Sequence, residues 1–97
     1  MEHRPDKAES RRIRVAIRHV LVETWDPIGL GWESPDEYDA YLGDIYELLL
    51  TRAPEEKVVE YLLWLTTERM GLTQSEIRIA RTNAAVQELM RIPFPPN

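Results

Sequence analysis

The chain has no cysteine, which removes disulfide frameworks, thiolate metal sites and cysteine nucleophiles together, and nothing demands an oxidising compartment. Histidine is nearly absent: only His3 and His19 carry an imidazole, and no His-Glu-x-x-His spacing is present, so the usual zinc motifs have no foothold. Glycine numbers four, with no glycine-rich phosphate loop and no Gly-x-Ser-x-Gly elbow for a serine nucleophile. No apolar run approaches the roughly 18–20 residues that span a bilayer, and the charged opening lacks the apolar core of a signal peptide. The expectation is a cytoplasmic protein with no membrane partner and no cofactor.

What is present suits one compact domain. Ninety-seven residues with 43% apolar content match chains that bury roughly 60–70% of their unfolded surface. The net charge of −5 hides an asymmetry: residues 1–22 hold six Lys/Arg against three Asp/Glu, whereas residues 23–60 hold two against eleven. The acidic middle argues against phosphate-backbone binding there, so no nucleic-acid partner is expected, and it favours a basic partner or a solvated face. The basic stripe Arg11, Arg12, Arg14 and Arg18 pairs most economically with that middle, within one molecule or between two copies.

Hydrophobic spacing predicts an all-α, four-helix domain with a long aromatic and acidic loop between helices one and two. Residues 1–8 are expected to form a flexible arm, 9–92 the helical domain and 93–97 a Pro-rich tail with Phe94 pinned to the body. Helix one is predicted from Glu9 or Ser10 to about Thr24, burying Ile13, Ala16, Ile17, Val20 and Leu21, and ended by Asp26-Pro27. Gly29 and Gly31 allow positive φ in the turn that follows.

Helix two is predicted to start at Ser34 as N-cap, with Pro35 at its first position and Glu37 closing a capping box. Its buried stripe is expected to be Tyr38, Tyr41, Leu42, Ile45, Leu48 and Leu49, with Gly43 at a close helix crossing. Pro54 opens helix three, whose dense apolar content predicts a central helix with Trp64 in the core. Gly71 is expected at its C′ position. Thr73 and Glu76 form a second capping box, Leu72 and Ile77 a staple, and helix four is predicted to about Arg91 on Ile77, Ala80, Ala84, Ala85, Leu89 and Ile92.

The least generic stretch is Trp25 to Tyr41, which holds two of the three tryptophans, two of the four glycines and a run of carboxylates. Trp32, between Gly31 and Glu33, is the expected exposed anchor, because aromatic residues with an acidic rim are typical of binding surfaces. Glu33, Asp36, Glu37 and Asp39 are expected to steer a basic protein partner. The competing reading folds Trp25 and Ile28 back onto the bundle and leaves Trp32 half covered.

Trp25-Asp26-Pro27, then Asp36-Glu37-Tyr38-Asp39 with Tyr41, then Tyr61-Leu62 and Met70-Gly71, resemble the small YugE-like bacterial proteins of unknown function. The resemblance spans about residues 13–72 and implies a compact helical bundle, with no activity to transfer. Similar small acidic proteins also occur as immunity partners of toxins.

The expected function is therefore a non-catalytic protein-interaction module, monomeric or homodimeric, binding a basic partner through residues 25–39. One alternative is an immunity-type inhibitor of a toxin. Another is a carboxylate-based metal protein or small enzyme, with Glu33, Asp36 and Asp39 as oxygen ligands. Neither His3 nor His19 is given a role.

Overall fold

Helix α1 spans Lys7–Val20 in the computed structural model, which describes residues 5–95. Its start is set by a capping box at Asp6 and Glu9. The Asp6 carboxylate accepts the Glu9 N–H at 2.8 Å, and the Glu9 carboxylate accepts the Asp6 N–H at 3.5 Å. The helix thus begins two residues before Glu9 and takes Lys7 and Ala8 from the expected arm. His3, Arg4 and Pro96 lie outside the described residues.

Ile13, Ile17 and Val20 give α1 its buried face. The backbone then widens into a π turn, Leu21–Trp25, in which the Asp26 N–H bonds the Leu21 carbonyl at 2.9 Å. The extra residue per turn brings Leu21, Val22 and Trp25 all into the interior. The chain reverses at Asp26, φ +32°.

Three helices follow: α2 at Asp39–Leu50, α3 at Glu55–Trp64 with a π turn at Leu65–Arg69, and α4 at Glu76–Met90. No strand occurs among the described residues, so the architecture is the all-α, four-helix domain that the spacing predicts. Helix α1 packs against α2, its π turn packs against α4, and α4 lies along α3. The 13.2 Å radius of gyration matches the roughly 13 Å of a compact chain of about 100 residues. One cluster fills the centre, and Ile92 and Phe94 pack against it. Arg12 donates to the Pro93 carbonyl at 3.0 Å and Arg52 to that of Pro95 at 3.1 Å, so Phe94 is pinned as expected.

Several local expectations are overturned. Helix α2 starts at Asp39, with Tyr38 in the N-cap place and no side-chain cap. Ser34 and Glu37 form a turn instead of a capping box, the Glu37 N–H reaching the Ser34 carbonyl at 3.1 Å. Gly43 is exposed, and a Cβ there would meet nothing within 4 Å, so it marks no close crossing.

Pro54 is the N-cap of α3 rather than its first residue. That helix is one-sided, burying Val58 and Leu62, with Leu65 and Thr66 in the π turn. Trp64, two residues from Leu62 and so on the opposite side, is 48% exposed. It stacks along Tyr61 at 6.3 Å. Gly71 does take positive φ, +67°.

The cap of α4 is Ser75, whose hydroxyl accepts the Arg78 N–H at 3.1 Å, not Thr73. Leu72 bonds back to the Thr66 carbonyl at 2.8 Å and holds the preceding residues out of the helix. Ile77 is 68% exposed and staples nothing. The inward face of α4 is Thr82, Ala85, Val86 and Leu89, turned away from the predicted Ile77, Ala80 and Ala84.

Candidate functional site

The loop after α1 hangs from Trp25. Its ring is 1% exposed, and its Nε1–H donates to the buried Thr82 hydroxyl on α4 at 3.2 Å. That bond explains the rotation of α4, because a buried indole N–H needs an acceptor and Thr82 supplies it.

Asp26 then organises the turn. One carboxylate oxygen accepts the Leu30 N–H at 3.0 Å, the Gly31 N–H at 3.2 Å and the Tyr38 hydroxyl at 2.8 Å. The Tyr38 oxygen in turn accepts the Ile28 N–H at 3.1 Å, and its ring lies 5.4 Å from that of Trp25. Gly29 and Gly31, at φ +80° and +53°, let the backbone curl around this carboxylate. Tyr38 must be buried to close the network, which is why residues 34–38 follow turns and α2 begins late. Burial, then the hydrogen bond to Asp26, pushes the Tyr38 phenol above its ordinary pKa.

From this locked base a single 3₁₀ turn, Gly31–Glu33, carries Trp32 outward. Trp32 is 51% exposed. Its Nε1–H donates to Glu23, and its ring lies 5.7 Å from His19. His19 and Glu23 are four residues apart, so they share one face of the helix end on which Trp32 rests. Sequence reasoning gave neither a role. Their spacing was the available signal, but it does not say where a loop returns.

The predicted acids divide. Glu33, Asp36 and Glu37 are exposed and form no ion pair with another described residue. Asp39 is engaged: Arg18 on α1 forks onto it, with Nε at 3.0 Å from one oxygen and the terminal nitrogen on the other. The Asp39 carboxylate holds the Arg18 guanidinium more firmly charged than usual. Among the described residues the basic stripe therefore answers the acidic middle at this one pair. Arg14 instead covers the Tyr46 ring at 4.9 Å, and Arg12 holds the tail.

Among the described residues, no group of three or more His, Asp or Glu is arranged to hold a metal ion, and no helix is long and apolar enough to cross a membrane. Glu33, Asp36 and Asp39 thus do not converge as a cation site. What the arrangement offers is a half-exposed indole bonded to Glu23 and next in the chain to Glu33, with Asp36 and Glu37 exposed in the turns that follow. No family model, curated protein or solved structure matches this chain.

Proposed function

We propose that this chain is a non-catalytic protein-interaction module of the bacterial cytoplasm, akin to the YugE-like proteins, that presents Trp32 and its acidic rim to a basic partner. The observation that supports this reading is the division of labour inside the loop. Trp25, Asp26 and Tyr38 carry the packing and the hydrogen bonding, while Trp32 is left half exposed at the tip. An indole that rests on His19 and Glu23 by one side and leaves the other half in water has a free face suited to a pocket on another surface. A base locked by the Asp26 carboxylate lowers the ordering cost of binding. Glu33, Asp36 and Glu37 would steer the encounter and make it salt-dependent. Asp39, occupied by Arg18, is left outside the contact set.

The test is retention of basic proteins from a native extract by the wild-type chain beside Trp32→Ala and Asp36→Asn/Glu37→Gln, at low and moderate salt. The expected result is a specific basic protein held by the wild type, lost with Trp32→Ala, and weakened by the charge variant and by salt. Truncation of a central indole anchor corresponds to about 2 kcal/mol or more, expressed mainly as faster dissociation. Equal retention by all three forms would contradict the proposal.

A further inference from the structure

A groove of about 640 Å³ runs along α1 from Lys7 to Arg18, beside the start of α2. Its walls carry four cations, Lys7, Arg11, Arg14 and Arg18, against two carboxylates, Asp6 and Asp39, and its exposed apolar side chain is Val15. Two of the four cations are held in place, Arg14 over the Tyr46 ring and Arg18 by Asp39. Lys7 and Arg11 are exposed and form no ion pair with another described residue. Val15, 61% exposed, is an apolar side chain on its wall.

We propose that the partner of the Trp32 surface is a second copy of this chain, acidic overall but with a local basic groove at Lys7, Arg11 and Arg14 that receives the Trp32 tip. This rests on the reading of the loop as a binding surface and names its occupant. The groove offers what that tip lacks: the exposed Val15 side chain for an indole edge, the Arg11 guanidinium to stack on its face, and the Lys7 and Arg11 charges opposite Glu33 and Glu37. The two patches also adjoin on one molecule. Val15 in the groove is one helical turn before His19, on which Trp32 rests. Neighbouring, mutually complementary patches permit a two-fold pairing in which each loop enters the other copy's groove, closing the assembly at a dimer.

A charge exchange tests this with the full chain. Mass is measured by sedimentation equilibrium over a wide concentration range for the wild type, for Lys7→Glu/Arg11→Glu and for Glu33→Lys/Glu37→Lys. All four positions are exposed, and circular dichroism and melting confirm that each variant is folded. The wild type is expected to approach twice its 11.4 kDa with rising concentration. Each variant alone should associate about a hundredfold more weakly or worse, because like charges then face each other. An equimolar mixture of the two should recover association as a heterodimer.

Folded variants that both dimerise like the wild type, or a mixture that stays monomeric, would overturn the proposal. A wild type that stays monomeric but retains another basic protein through Trp32 would overturn self-association alone. A wild type that neither self-associates nor retains any protein through Trp32 would overturn the binding surface as well.

Discussion

Trp25→Ala would empty the space between the π turn and α4 and leave the Thr82 hydroxyl buried without its donor. A loss of about 3–5 kcal/mol in urea unfolding is expected. Asp26→Ala removes the acceptor for the Leu30 and Gly31 amides and the Tyr38 hydroxyl. It should lower stability by about 2 kcal/mol and speed hydrogen exchange at those two amides more than in the helices. The sequence marks Asp26 clearly as a helix stop before Pro27. Its larger role as a shared acceptor was not legible, because its donors lie at positions 30, 31 and 38 and meet only in three dimensions. Trp64 misleads for a related reason. A helix rich in apolar residues reads as central, but only one face finds neighbours, and here Val58, Leu62 and Leu65 define it.

The helices themselves were legible from apolar spacing, as was the left-handed Gly71 after α3, and their N-caps were not. Capping boxes were expected at Ser34 and Thr73, whereas the one that forms is Asp6 with Glu9, a spacing of the same kind in a stretch read as an arm. A cap contributes about 1 kcal/mol, less than the burial of Tyr38, so the tertiary demand of that ring decides where α2 begins. Gly43 gives a direct test within α2. It is exposed, and an added Cβ would touch nothing within 4 Å, so Gly43→Ala should raise the unfolding free energy by about 0.5–1 kcal/mol. A destabilised variant would show that the glycine is needed for a helix contact. Helix α4 shows the reverse limit of pattern reading. Thr82 looks like a surface residue, but its hydroxyl faces inward to meet Trp25, and the buried stripe turns with it.

Across the whole molecule, two phenols couple stability to alkaline pH. Burial, reinforced by Asp26 for Tyr38 and by Asp44 for Tyr61, raises both above their ordinary value. The neutral form is the one that the fold favours. In the unfolded chain these groups lose their protons near pH 10, so their contribution is fully present below that pH and is lost as pH rises above it. Urea midpoints should therefore fall above about pH 10, and Tyr38→Phe should flatten that fall while lowering stability at neutral pH through its lost hydrogen bonds. The charge asymmetry between the first 22 residues and the middle was plain in the sequence. How it resolves was not, since among the described residues only Arg18 and Asp39 of these charges meet in a tight pair. That half-exposed pair contributes about 1 kcal/mol or less and leaves Glu33 and Glu37 in the loop and Lys7 and Arg11 on α1 without ion pairs among the described residues.

The unfolding free energy of Trp32→Ala in urea, measured beside the wild type, bears most directly on the claim that this indole serves a partner rather than the fold. With half its surface in water and one exposed hydrogen bond to Glu23, its loss should change stability by no more than about 2 kcal/mol. A loss of about 3 kcal/mol or more, the range of a buried aromatic, would place Trp32 in the core and contradict the account.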